Sequence, residues 1–139
     1  VSLTPGLHAL AQALAVIDRT DPLLRVELPL VTVSEANRRD KWAAVERARA
    51  QRMVTLMAMR AAIFRDVYAT AHPGLVVLMT RQAPRELDSD NLARALKAVR
   101  DGVAQALGVD DRDPRVVWVC DQRKGKAAVE IAVHTMEAQ

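Results

Sequence analysis

The chain has a single cysteine among its 139 residues, Cys120, which excludes an internal disulfide and leaves no thiolate cluster for zinc. A reducing, cytoplasmic setting is the expectation that follows. Its three histidines, His8, His72 and His134, fall in three separate segments at no metal-ligand spacing. Neither a Ser-His-Asp arrangement nor a glycine-rich phosphate loop is present, which removes the commonest nucleophilic and nucleotide-binding signatures. No uninterrupted apolar run approaches the roughly 20 residues of a membrane span. The N-terminus also lacks the basic-then-apolar layout of a signal peptide, so the sequence reads as soluble with no membrane partner.

What is present suits one α+β domain over residues 1–139, with 1–22 as an N-terminal helical extension and 24–135 as the core. Leu7, Leu10, Leu14 and Ile17 recur at helical spacing after Thr4-Pro5, predicting a docked amphipathic helix over 5–18. Residues 24–33 alternate as a strand, which Pro29 assigns to a sheet edge or bulge. A long helix follows over about 36–70, with its positive charge early and its apolar content late. Leu75 to Met79 is a continuous apolar run of the kind found in a central strand, followed by a loop over 81–87. Leu92, Leu96, Val99, Val103, Ala106 and Leu107 make one apolar stripe on a helix of about 90–107. The end reads as a hairpin, 115–121 and 127–135 around a turn at Gln122 to Lys126, with Val129, Ile131 and Val133 on one face and Glu130 and His134 on the other. The predicted order is α-β-α-β-α-β-β on a single small mixed sheet.

The formal net charge is only +3, but it is unevenly spread. Eight basic residues (Arg38, Arg39, Lys41, Arg47, Arg49, Arg52, Arg60, Arg65) stand against Asp40 and Glu46 in one stretch. A second basic group, Arg123, Lys124 and Lys126, lies near the C-terminus, and Arg85 sits just ahead of the acids that concentrate between Glu86 and Asp113. Basic flanks around an acidic centre suit a polyanion gripped at its sides and cut in the middle. Arg38, Arg39 and Lys41 are expected to meet the phosphates of such a polyanion, as are Arg85, Arg123, Lys124 and Lys126. Taken singly, each of these side chains also fits a plain solvated helix or turn.

Asp88 and Asp90 precede the 90–107 helix, and Asp110 and Asp111 follow it. Short, oxygen-only ligands suit Mg²⁺ or Mn²⁺ rather than zinc or iron. Carboxylates brought close together would have raised pKa values, a cost that a bound cation removes. Arg94 and Lys97 project from the polar side of the same helix, where either could stabilise charge on a transition state. Any one of the acids alone reads as a helix cap or turn residue; four acids with a cation between them exceed what capping requires.

The strings Asp88-Ser89-Asp90-Asn91-Leu92, Lys97-Ala98-Val99-Arg100-Asp101-Gly102-Val103 and Gly108-Val109-Asp110-Asp111 together resemble the RusA family of Holliday-junction resolvases. That family's pattern is Asp-x-Asp-Asn-Leu, a lysine, a helical Asp, and Asp-Asp before a hairpin. Leu28-Pro29-Leu30 and Ser34-x-x-Asn37 are similar to its opening segment, so the resemblance spans about 24–135. It implies a homodimeric, Mg²⁺-dependent endodeoxyribonuclease that resolves four-way DNA junctions by paired nicks, of the kind phages and prophages carry, with no small-molecule cofactor. It also implies Asp88, Asp90 and Asp111 as metal ligands, with Asp110 a weaker fourth. The family lysine falls where this chain has Arg94, and Lys97 stands about one turn later, so the catalytic cation is Lys97 or Arg94. The helix over 5–18 has no counterpart in the family pattern.

The alternative is a basic, dimeric DNA-binding module or phage regulator in which the acids only cap and solubilise. A sugar-nucleotide transferase using Asp-x-Asp would need a nucleotide-binding domain that this chain is too short to hold. Met53, Met57 and Met59 read as core or dimer interface, Trp42 as packing or a base-stacking group, and Cys120 beside Trp118 as an inert small hydrophobe.

Overall fold

The long apolar run after Gly74 organises the molecule. In the computed structural model, which describes residues 5–33, 40–66 and 74–136, this run is one of the two interior strands of a four-stranded sheet. The elements are α1 (Pro5–Arg19), β1 (Leu24–Leu28), α2 (Lys41–Asp66), β2 (Leu75–Ala83), α3 (Ser89–Ala95), α4 (Lys97–Leu107), β3 (Val116–Lys124) and β4 (Ala128–Thr135). The strand order is β1-β4-β2-β3. β4 runs antiparallel to both β1 and β2, while β3 runs parallel to β2. The fold is therefore α+β with one mixed sheet, as the element pattern predicts.

The predicted hairpin of the last two strands does not form. β3 pairs with β2 through Leu75↔Val116 to Ala83↔Lys124, and β4 pairs with the other edge of β2 through Leu75↔Thr135 to Gln82↔Ala128. The intervening turn crosses the end of β2, where Gly125 N–H donates to Ala83 O at 3.0 Å. The physical reason is that β2 is buried on both faces along most of its length. Such a strand needs a hydrogen-bonding neighbour on each edge, and β3 and β4 supply one each. Both strands also run further into the predicted loop and turn: β2 includes Arg81 and Gln82, and β3 extends to Lys124.

Leu24, Val26 and Leu28 of β1, Leu75, Val77 and Met79 of β2, and Val129, Ile131 and Val133 of β4 form the core with Met59 of α2 and Leu92, Leu96, Val99, Val103 and Leu107 of the α3–α4 segment. β1 ends before Pro29 and is an edge strand, shorter than the predicted 24–33. The opposite sheet face is covered by α1, with Ala13 against Val76 and Val119, flanked by Val16 and Ile17. His134 lies beneath this layer, its Nδ1 2.9 Å from Thr20 Oγ1. Of the predicted docking stripe, Leu7, Leu10 and Leu14 are exposed and Ile17 packs on the sheet. The helix is turned by about one residue, or 100°, so that the small Ala13 meets the sheet and lets the two approach closely.

The single helix predicted over 90–107 is two. Leu96 (φ −97°, ψ 0°) leaves helical geometry, so that α3 faces β3 while α4 lies along α2. α4 closes at Gly108, whose left-handed backbone (φ 71°) frees its N–H to meet the last carbonyls. α2 buries Thr55, Leu56, Met59 and Ala62 and leaves Met53, Val54, Met57 and Phe64 to solvent. The predicted ends of α2, residues 36–39 and 67–70, lie outside the described residues. No helix of the described residues is long and apolar enough to cross a membrane.

Candidate functional site

Asp88 caps α3 from an extended backbone (φ −69°, ψ 168°). Its Oδ1 accepts from Asn91 N–H at 2.9 Å and its Oδ2 from Asn91 Nδ2 at 3.1 Å. Asp88 and Asp90 are both exposed, one on each side of Ser89 at the start of the helix. Capping engages one lone pair on each Asp88 oxygen and leaves others open to solvent or a cation.

The second acid pair sits beyond the other end of the helical segment. Asp110 Oδ1 accepts from Arg112 N–H at 2.8 Å. That backbone bond, a bond with Asp111 and the Arg112 charge hold the Asp110 carboxyl below its ordinary value, the reverse of the rise predicted for crowded acids. Asp111 is held by its main chain: its carbonyl accepts from Arg100 Nη2 at 2.8 Å and from Trp118 Nε1 at 3.1 Å. The Arg100 guanidinium lies over the Trp118 ring, 4.9 Å from its centroid. Arg100 Nε is buried without a hydrogen-bond partner, an omission that ordinarily costs about 1–3 kcal/mol. Among the described residues no three His, Cys, Asp or Glu side chains gather into one group that could hold a metal ion.

The two cations behave differently. Lys97 Nζ lies 3.3 Å from Asp101 Oδ1, one turn further along α4. Such an exposed i,i+4 pair is worth only a few tenths of a kcal/mol, roughly, and releases easily. Arg94 is exposed in the last turn of α3. Of the predicted DNA-binding residues, Arg85, Lys124 and Lys126 are exposed, and Arg123 is tied to Gln82 at 2.7 Å and to Glu130 at 3.5 Å. Lys41 opens α2; Arg38 and Arg39 lie outside the described residues.

The register places most of these groups at one end of the sheet. β2 and β3 run parallel and finish together at Ala83 and Lys124. Arg85 comes two residues after the end of β2, Leu87 is bonded to Gln122 of β3, and Asp88 and Asp90 come next. The acidic turn thus lies towards the same end of the sheet as Arg85, Arg123, Lys124 and Lys126.

Several positioning residues escape a reading of the sequence. Arg81 continues the core-facing row of Leu75, Val77 and Met79 and is only 6% exposed. It donates to Thr32 Oγ1 (2.9 Å), Thr32 O (3.1 Å) and Arg85 O (2.8 Å), so one guanidinium binds the exit from β1 to the loop leading into Asp88. Burial pulls its pKa below the ordinary value. The signal available was its even spacing from Met79 in a buried strand, which a loop assignment for 81–87 concealed. Gln122, Trp118 and Arg100 carried no signal because their partners are backbone groups, of Leu87 and Asp111, which no side-chain pattern marks.

Oxygen-only donors, exposed and backed by carboxamide and backbone bonds, fit a hard cation such as Mg²⁺. That ion is usually held by one or two carboxylates and keeps several waters. The fit is one of donor chemistry, with Asp88 and Asp90 as the pair nearest in the chain. Comparison with family models and with curated proteins returned no match to this chain.

Proposed function

We propose that this chain is a divalent-metal-dependent endodeoxyribonuclease of the RusA type, acting on four-way DNA junctions. One observation carries the reading: the acidic turn of α3 stands at the same sheet end as Arg85, Arg123, Lys124 and Lys126. Basic side chains there would take up backbone phosphates on either side of the strand to be cut. Asp88 and Asp90, with Asp111 from the following turn, would hold Mg²⁺ or Mn²⁺. When bound, the ion supplies Lewis acidity towards a phosphate oxygen. The chain's own part is then electrostatic: Lys97, once released from Asp101, or Arg94 offsets negative charge growing on the phosphate and the departing oxygen.

Paired nicks on a two-fold junction call for two copies of the site related by a two-fold axis. The exposed apolar side chains Met53, Met57 and Phe64 of α2, with Leu7, Leu10 and Leu14 of α1, supply surfaces for such a homodimer. The reading requires a nicking assay with Mg²⁺ on a four-way junction and on linear duplex of the same sequence. Wild-type protein should nick the junction in symmetric pairs, and Asp88→Asn should bind it without cutting. Equal cutting by Asp88→Asn, or none by wild type in Mg²⁺ or Mn²⁺, overturns the proposal.

A second reading, a basic DNA-binding module without catalysis, is favoured by the absence of a three-carboxylate group among the described residues. Junction binding with no cleavage under any divalent ion would select it.

A further inference from the structure

Gln122 and Trp118 stand four residues apart on β3, which places them on one face of the strand about 13 Å from each other. Each holds the main chain of a different acidic turn. Gln122 uses both ends of its carboxamide on Leu87: Oε1 accepts from Leu87 N–H at 2.9 Å and Nε2 donates to Leu87 O at 2.6 Å. Leu87 directly precedes Asp88, so the two bonds limit the backbone rotations that would swing the capping acid. Trp118 Nε1 donates to the carbonyl of Asp111 itself, and Arg100, stacked on the same indole, donates to that oxygen from α4. Both turns are otherwise irregular chain, the kind of segment that shifts unless a rigid element restrains it.

We infer that β3 acts as a two-point jig, with Gln122 and Trp118 as positioning residues that set the Asp88 and Asp111 turns relative to each other. The inference rests on the metal-dependent reading proposed above. It deepens that reading by moving part of the site's precision off the acids and onto a strand that carries none of the proposed ligands. Groups that orient metal ligands typically change metal affinity about 10- to 100-fold when removed. Gln82 supplies an internal comparison. It lies on the neighbouring strand β2, donates to Lys126 O at 2.7 Å and accepts from Arg123 at 2.7 Å, but it holds no acidic turn.

The test is calorimetric titration of the full chain with Mn²⁺, without DNA, together with the thermal midpoint of each variant. Gln122→Met keeps length and removes both bonds; Trp118→Phe keeps a ring under Arg100 and removes the donor. Each should weaken Mn²⁺ binding by about 10-fold or more, whereas Gln82→Met should leave it within about twofold of wild type. If Gln122→Met does not fold, Gln122→Glu keeps acceptance from Leu87 N–H, loses donation to Leu87 O, and should show a smaller loss in the same direction. Unchanged affinity in the β3 variants, with Asp88→Asn defective, overturns the jig and spares the metal reading. An equal loss in Gln82→Met also overturns it, because the effect would then be general loosening. A wild-type chain that binds no Mn²⁺ removes the metal reading and the jig with it.

Discussion

Replacing Gly102 with alanine pits helix propensity against interhelical space. Gly102 lies in α4 where that helix crosses α2, and a Cβ built there would stand 2.7 Å from Arg52 O, 2.8 Å from Thr55 Cβ and 3.1 Å from Thr55 Cγ2. The nearest of these atoms is backbone and cannot rotate aside. Thr55 is fully buried and its hydroxyl is already committed to Gln51 O at 2.7 Å, so the helices must separate to admit the methyl group. Alanine gains up to about 1 kcal/mol over glycine within a helix, while overpacking costs about 1–3 kcal/mol. Because the clash involves backbone, the upper part of that range applies, and the net loss should be about 1–2 kcal/mol. For a domain of this size that lowers the thermal midpoint by roughly 3–8 °C. Differential scanning calorimetry of wild type, Gly102→Ala and Gly102→Val measures it, with valine expected to be worse than alanine. A midpoint for Gly102→Ala at or above wild type would show that α2 and α4 do not pack at this distance.

Other consequences are open to equally direct measurement. Lys97→Ala should lower the junction cleavage rate by about 100-fold with little change in affinity if Lys97 is the catalytic cation, and Arg94→Ala should do so if Arg94 is; small, equal effects from both would leave neither in that role. Burial, aided by Arg25 and opposed by Asp21, lowers the folded-state pKa of His134 below its ordinary value. Its contribution to stability is therefore fully present above the unfolded value of about 6.5 and is lost as pH falls from there towards the folded value. His134→Gln should flatten the fall in thermal midpoint between pH 7.5 and 5.5, and an identical slope in both proteins would remove His134 as its source. Met57 is 62% exposed whereas Met59 is fully buried, so Met57→Glu should give a folded monomer by light scattering and Met59→Glu a protein that does not fold; a Met57→Glu dimer of unchanged affinity would place the interface elsewhere.

Local patterns were legible from the chain alone because they depend on residues close in sequence. The β2 run, the alternation of Val129, Ile131 and Val133 and the stripe from Leu92 to Leu107 all follow from side-chain periodicity and backbone preference, and the structure places each accordingly. The capping geometry of Asp88 belongs to the same class. Tertiary structure alone decided what depended on competition between distant segments. β3 and β4, adjacent in sequence, were drawn apart because β2 required a partner on both edges. α1 turned Ala13 rather than its leucines to the sheet, since close approach over Val76 and Val119 outweighed the larger apolar stripe. Arg81, Trp118, Gln122 and Arg100 took their roles from backbone carbonyls and amides brought near by that strand order. Every residue carries such groups, so no sequence pattern marks in advance which of them a side chain will hold.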